Sequence, residues 1–447
     1  MLDTLNREVL LPLIARKRGS RHLQYLRFLE RTQYDSPQMI RARQFCMLKA
    51  ILEHAYQTVP YYRQTWNDAG LNPGHVQALD DLQTFPVVSK TELRTRHRDF
   101  LSTAYDVAKL RIKRTSGSTG VPLTIRIDEP GLQWKYACTL RADQWSGYRL
   151  GQRVAKVWGN PEYRHHGWRG RISNWLVDRA IYLDTIGLTV ERIREFAKVL
   201  RRHQPGLLFG HAHSLYLLAC QLKKAGITDI RPRGIIATAM PLYDWQRKLI
   251  QEVFEVAPTN RYGCEEVSLI ASECEQHHGL HITSESILTE VESSGHLLVT
   301  DLSNFAMPLI RYRVGDVVVP STRLCRCGRG LPLLERVEGR DADFVVTPRG
   351  ELISGISLTE NFALHLPGAA QVQIIQEELT RLRIRLVAEE SFATASREKL
   401  AELVRELFGP TMRYDLDLVE AIPQEPSGKY RFCVSKIADR YLQELSV

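Results

Sequence analysis

No stretch of this chain stays apolar for the roughly 18 residues that a membrane-crossing helix needs, so a transmembrane segment is not expected. Nor is Met1 to Gly19 expected to be a secretory leader. The apolar run within Met1 to Gly19 is broken by Arg7 and Glu8, and it ends in Arg16-Lys17-Arg18 rather than in small residues. That segment reads as a basic amphipathic helix lying on a domain surface, with docking on an anionic membrane or a partner as the alternative. The net charge is +9, yet Lys and Arg are scattered apart from short clusters such as Arg111-Ile112-Lys113-Arg114. Without a basic stripe interleaved with aromatics, nucleic acid is not the expected partner; the modest excess suits anionic small molecules. Internal repeats and low-complexity tracts are absent.

Cysteine is sparse and unevenly placed, which excludes a secreted disulfide framework and points to a reducing, cytoplasmic setting. Of the eight cysteines, Cys46, Cys138, Cys220 and Cys433 stand alone and are expected to be buried structural residues. The other four, Cys264, Cys274, Cys325 and Cys327, share one region with several histidines.

What is present is an ordinary globular composition, 44% hydrophobic and 25% charged, on 447 residues. That length implies two or three domains. Ser36-Pro37 is a helix start, and apolar residues recur at helical spacing through Ala55. From about Leu150 strands and helices alternate. Strands are expected at Val154 to Trp158, Leu207 to Phe209 and Gly234 to Thr238, and helices at Val190 to Arg202, Ser214 to Ala225 and Leu242 to Phe254. Such alternation predicts parallel sheets covered by helices. After Asn260 the texture turns to β, with a hairpin at Ile287 to Asp301 around Ser293-Ser294-Gly295. Gly339 to Asp343 reads as a linker. Beyond it lies a small α+β unit, with strands at Gln371 to Gln376, Leu382 to Val387 and Tyr414 to Ile422 and a helix at Ser396 to Leu407.

The sharpest local signal is Arg114-Thr115-Ser116-Gly117-Ser118-Thr119-Gly120-Val121-Pro122. Hydroxyls interleaved with glycines let backbone and side-chain donors converge on phosphate oxygens. No Gly-Lys-Ser/Thr ends it, so it is not the loop of the common nucleotide hydrolases. Further along come Tyr262-Gly263-Cys264-Glu265-Glu266, Tyr312-Arg313-Val314-Gly315-Asp316, Gly339-Arg340 and Ser427-Gly428-Lys429-Tyr430-Arg431. Three more stretches accompany them: Val59-Pro60-Tyr61-Tyr62-Arg63, Phe85-Pro86-Val87-Val88-Ser89-Lys90 and Pro308-Leu309-Ile310-Arg311-Tyr312.

In this order the motifs resemble the adenylate-forming superfamily and, within it, the phenylacetate–CoA ligase branch with its CapK-like relatives found among capsule and exopolysaccharide genes. The resemblance covers nearly the whole chain. It implies an α/β fold: an N-terminal adenylation domain over 1–340, with a helical start to 110, an α/β core at 111–260 and a β-rich part at 261–340, then a small mobile α+β lid domain over 341–447. It implies ATP and Mg²⁺ as cofactors, a carboxylic acid as substrate, and coenzyme A or another acyl acceptor. By the same resemblance Thr115, Ser116, Gly117, Ser118, Thr119 and Gly120 hold the β- and γ-phosphates, and Glu266 helps to bind Mg²⁺. Tyr262, followed by Gly263, packs on the adenine, Asp316 accepts from the ribose hydroxyls, Arg340 approaches the ribose, and Lys429 reaches the α-phosphate. Donors, a metal and a cation are what attack of a carboxylate on a phosphate requires, because charge builds on the phosphate as it reacts.

The sequence departs from the branch at four places. Glu265 stands where many relatives have threonine, Val121 where some have lysine, Met240 where many have glutamate, and Ala342 interrupts the usual hinge acids. These departures leave the acid, the acceptor and the role of Glu265 open. Transfer of the acyl group or of AMP to a non-CoA acceptor such as a glycan precursor is one alternative. A non-catalytic, zinc-stabilised binding protein is the other. A homodimer is compatible with the sequence.

Cys325-Arg326-Cys327, with Cys274 and the histidines His277, His278 and His281, suggests a tetrahedral Cys₃His zinc site of structural type. Its expected ligands are Cys274, Cys325, Cys327 and His281, with His277 next in line for the fourth position. The alternative is four reduced, metal-free side chains near surface histidines. The acyl pocket is expected at the carboxyl ends of the parallel strands, around Trp158-Gly159, Phe209 to Ser214 and Gly234 to Thr238.

Overall fold

The computed structural model describes residues 2–114, 123–158, 167–183, 190–240, 242–337, 344–355, 358, 362, 365–422 and 433–437. The phosphate-loop residues Thr115 to Gly120, Arg340 and Lys429 lie outside the described residues. The chain divides into two compact units. The first gathers Met1–Arg114, Thr124–Gly151 and Thr259–Gly339; the second gathers the described residues of Gln152–Pro258 and Arg340–Val447.

The first unit begins with helices whose boundaries follow from local chemistry. Ser36 caps the helix Pro37–Thr58 by accepting from the Met39 N–H, with proline at the first position, where no N–H is needed. Ser89 and Glu92 form a reciprocal capping box on the short helix Lys90–Thr95. Strands β1 (Arg111–Arg114) and β2 (Thr124–Ile127) pair antiparallel. The helix Glu129–Trp145 follows, capped by Asp128, whose second oxygen accepts from the backbone of Phe305 and Ala306.

In the second unit, β3 (Val154–Val157), β4 (Ala180–Leu183), β5 (Leu207–His211) and β6 (Gly234–Thr238) are parallel, in the order β6-β5-β3-β4. Strands β5 and β6 are buried along almost their whole length, as expected of a parallel sheet covered on both faces. Helices Val190–His203, Ala212–Lys224 and Asp244–Phe254 supply the cover, and their apolar side chains share one core with the strands.

Back in the first unit, β7 (Pro258–Cys264), β8 (Ser268–Glu273), β9 (Leu280–Ile282), β10 (Ile287–Val291), β11 (His296–Asp301), β12 (Tyr312–Ser321) and β13 (Leu333–Val337) are antiparallel, in the order β10-β11-β12-β13-β9-β8-β7. Along β12, buried positions alternate with more exposed ones, the pattern of a sheet with one wet face. The C-terminal part of the second unit holds a hairpin of β14 (Phe344–Val346) and β15 (Leu352–Ser354). Its other sheet joins β16 (Ala369–Glu378), β17 (Arg381–Ala388), β18 (Arg413–Leu418) and β19 (Cys433–Ser435) in the order β18-β17-β16-β19. The helix Thr394–Phe408 packs on this sheet. Buried Gln376 gives both ends of its amide to the backbone of Val346, so one side chain substitutes for a ladder pair.

The expected strand–helix alternation, hairpin and C-terminal α+β unit are all present. One expectation fails: Cys138, Cys220 and Cys433 are buried, but Cys46 is exposed. On the helix Pro37–Thr58 the inward positions include Ile40, Gln44, Leu48, Ile51 and Leu52, and residue 46 points away from that face.

Candidate active site and metal cluster

Three of the short motifs interlock in the first unit. The buried Tyr62 hydroxyl donates to Pro308 O at 3.0 Å and accepts from Ile310 N at 2.9 Å. Arg311, held at φ 50°, donates to Gln83 O and Phe85 O and pairs with Glu290. Val88 forms a parallel bridge to Tyr312, its N–H donating to Arg311 O at 3.0 Å and its carbonyl accepting from Arg313 N at 2.9 Å. The helical start and β12 are therefore one mechanical piece.

This node positions Glu266. The carboxylate is buried, accepts from the Tyr312 hydroxyl at 3.2 Å and lies 3.2 Å from the Lys90 ammonium. Lys90 opens a helix, where the backbone dipole disfavours a cation; the Glu266 carboxylate offsets that penalty. Sequence reasoning quoted Lys90 inside a motif but gave it no role. Its position, a lysine directly after a serine N-cap, was the available signal.

On the same strands Tyr262 donates to Asp316 Oδ2 at 2.8 Å, joining β7 to β12 through side chains. Asp316 is buried and Tyr262 half-buried. Cys264 feels both acids: loss of solvation, then the Glu266 and Asp316 charges, push its thiol well above the usual cysteine range. Gly263 has a local reason to be glycine. The β7–β8 register shifts there, and a Cβ would lie 2.5 Å from Ser268 O.

The turn carrying Glu265 and Glu266 is held by two lysines. Lys135 Nζ donates to Val267 O at 2.9 Å and pairs with the fully buried Asp301 at 2.8 Å. Lys113, at the end of β1 next to the Ser/Gly/Thr loop, donates to Ser268 Oγ at 2.7 Å. Desolvation lowers the Lys113 pKa, and the Glu265 charge opposes that shift. Glu265 itself is exposed, so its electrostatic neighbour is a lysine.

The four expected metal-binding side chains converge. The ligand atoms of Cys274, His281, Cys325 and Cys327 lie within 4.8 Å of one another. Cys274 follows β8, His281 sits in β9, and the other two occupy the turn between β12 and β13. Cys274 Sγ is 3.7 Å from Cys325 Sγ, and Cys327 Sγ is 3.3 Å from His281 Nε2. Tetrahedral zinc with Zn–S near 2.3 Å and Zn–N near 2.0–2.1 Å has edges of about 3.8 and 3.6 Å, so the donors present fit that ion. His281 Nδ1 faces Leu331 O at 3.3 Å, which leaves Nε2 as the ligand atom. Burial drives this imidazole's pKa down to about 4, so it is neutral at pH 7. His277, the second candidate, is 3.1 Å from Glu273 instead and lies outside the cluster. Arg329 lies over Trp145, donates to Gln33 and pairs with Glu275, tying the cysteine turn to the helical start.

In the second unit, His211 is fully buried at the carboxyl end of β5, its ring 4.0 Å from that of Trp158. Phe209 stacks on the same tryptophan. Gly210 permits this close pairing, since a Cβ would lie 2.7 Å from Val157 O. Met240 is buried in the apolar core of this unit, where a glutamate would carry a desolvation cost.

Comparison with known proteins agrees with this architecture. The CapK C-terminal domain family matches residues 345–436. Phenylacetate-coenzyme A ligase of Thermus thermophilus is 25% identical over 323 residues, 69% of this chain and 72% of that protein. Its counterpart from Escherichia coli is 24% identical over 397 residues, 82% and 87% of the two chains. Protein CapK of Staphylococcus aureus is 22% identical over 382 residues, 80% and 81% of the two. The solved 2-hydroxyisobutyryl-CoA ligase, crystallised with 2-HIB-AMP and CoA, shares the fold with a TM-score of 0.60 at 20% identity, over 91% of this chain and 92% of that one. In fold, motifs and relatives the chain is similar to adenylate-forming CoA ligases. Within that class its sequence is similar to phenylacetate–CoA ligases and to protein CapK.

Proposed function

We propose that this protein activates a carboxylic acid with ATP and then passes the acyl group to the thiol of coenzyme A. The observation that carries this reading is the convergence of Glu266, Tyr312 and Lys90 beside the Tyr262–Asp316 pair. A buried carboxylate is a hard oxygen ligand that can take a divalent ion, and the lysine beside it adds a further positive charge for the phosphates.

In the first step a carboxylate oxygen of the acid attacks the α-phosphorus of ATP. The bond to the bridging oxygen of the β-phosphate breaks, and pyrophosphate leaves. Thr115 to Gly120 hold the β- and γ-phosphates, Glu266 takes Mg²⁺, and Lys429 neutralises the α-phosphate as charge builds. Tyr262 packs on the adenine with the Gly263 backbone alongside, while Asp316 and Arg340 hold the ribose. In the second step the thiol, losing its proton, attacks the acyl carbon and AMP departs. The lid domain 341–447 turns about the segment Arg340 to Asp343 between the steps. Cys274, His281, Cys325 and Cys327 hold a structural Zn²⁺; four protein ligands leave no open position for chemistry. The setting is the cytoplasm; among the described residues no helix is long and apolar enough to cross a membrane.

Exchange of labelled pyrophosphate into ATP, with Mg²⁺ and a broad acid library, tests the first step. Exchange with one class of acid is expected, and silence across the library would overturn the reading. Lys429→Ala slows exchange by roughly 10²–10³-fold, the effect of removing one charge-stabilising donor.

A second reading rests on the resemblance to CapK-like relatives found among capsule and exopolysaccharide genes: the acyl group goes to a non-CoA acceptor such as a glycan precursor. Mass spectrometry of products formed with and without coenzyme A separates the two.

A further inference from the structure

The start of the chain wears its apolar side outward. Leu2–Leu5, Asn6–Leu10 and Leu11–Lys17 run as consecutive helical segments, the middle one a π turn. The inner side buries Asn6 and Ala15 and rests on Gly151, where a Cβ would meet Arg7 N at 3.0 Å and Asp3 O at 3.1 Å. On the outer side Leu2, Leu5, Val9 and Leu13 are 59%, 46%, 43% and 57% exposed. Their spacing of three, four and four residues puts them along one helical face. Arg16 continues that face, and Arg16, Lys17 and Arg18 are all exposed.

This is the reverse of an ordinary surface helix, which turns its apolar stripe to the core. Here a polar asparagine goes inward, and four large apolar side chains meet water. We propose that this face docks on an anionic lipid surface, lying in the headgroup layer rather than crossing it. Charge complementarity selects that occupant. Leucine and valine enter the boundary between headgroups and acyl chains, while the adjoining cations meet lipid phosphates. A second copy of this chain fits less well. The exposed acid on the helix, Glu8, is already bonded to Arg7 at 2.7 Å, so a self-complementary contact offers little counter-charge for the cations.

The inference stands apart from acid activation and is tested by binding alone. The full chain is floated with vesicles of phosphatidylcholine, and with vesicles of phosphatidylcholine and phosphatidylglycerol in equal parts. It is expected to float with the second and stay behind with the first. Each basic residue removed weakens partition by roughly fivefold, so Arg16→Gln, Lys17→Gln and Arg18→Gln together weaken it by roughly 10²-fold. Leu5→Gln with Leu13→Gln abolishes it, and unchanged thermal melts show that both variants fold. Should the leucine variant misfold, the triple charge variant on the exposed end still decides. Failure of the full chain to float with anionic vesicles overturns the proposal, as does flotation of both folded variants undiminished from that of the unaltered chain. Light scattering that shows the leucine variant splitting a dimer, with flotation unchanged, gives the face to a second copy and also overturns it.

Discussion

The antiparallel sheet of the first unit and the parallel sheet of the second bury different things. Around the first lie two ion pairs almost sealed from water, Lys135–Asp301 and Arg141–Glu285, and a third, Lys90–Glu266, whose lysine is partly exposed. Among the described residues of the second, the aliphatic and aromatic core is joined by polar amides such as Gln246 and Gln376, and the tight places are glycines such as Gly206 and Gly210. A buried charge pair gains little net stability over an apolar pair of the same shape. What it does is fix geometry, because an unpaired partner in the interior is so costly. The first unit thus concentrates its expensive interactions on the turn at Cys264 to Ser268 and the strands around it, where the candidate chemistry sits. The second unit is held by packing, and its tolerance should differ accordingly.

The widest gap between the units should appear on removing the metal. Cys327→Ser is expected to abolish stoichiometric zinc and cost several kcal/mol, given that structural zinc supplies on the order of 10 kcal/mol in small domains. Atomic absorption and thermal melting check this; a zinc-free protein of undiminished stability would remove the cluster from the account. Next, Lys135→Met should cost about 3–5 kcal/mol, because it strands Asp301 in the interior, while adding Asp301→Leu should restore most of the loss. Urea unfolding of the single and double variants measures both, and equal stability of all three would show that the pair fixes nothing. Slightly smaller is Glu266→Gln, for which pyrophosphate exchange should fall roughly 10²–10³-fold in a chain that still folds. Unaltered exchange would mean that the buried acid is purely architectural. At the low end, Arg201→Ala in the second unit should change stability by about 0.5 kcal/mol or less, because Arg201 and Asp229 are 42% and 58% exposed. A large effect there would erase the contrast.

Much of this was legible in the residues, for identifiable reasons. Periodicity located the elements of the parallel sheet because β-branched and apolar runs there are bounded by glycine and helix caps. The Cys₃His set was readable because thiols are rare in this chain and cluster only once. The choice of His281 over His277 was already the sequence's preference, and strand placement explains it: His281 lies in β9 opposite Leu333, whereas His277 lies in the preceding turn at φ 52°. Other features could not be seen. Arg141 and Glu285 are 144 residues apart, and no local pattern announces that they meet. Lys90 stood only inside a quoted motif, with no role, and the bridge from Val88 to Tyr312 is what brings it to Glu266. Cys46 was misread because a lone cysteine in an apolar stretch was assigned to the core without first working out which side of its helix it occupies.

The Val88–Tyr312 bridge bears on how this protein can be shortened. A chain trimmed to begin near residue 100, as if the helical start were an ornament, would lose Lys90, the Tyr62 hydroxyl between Pro308 and Ile310, and the backbone partner of Arg313 together. Such a truncation would strip the candidate magnesium carboxylate of its nearby cation while leaving every quoted nucleotide motif in place. An inactive fragment of that kind would mislead anyone who looked for the fault among the motifs.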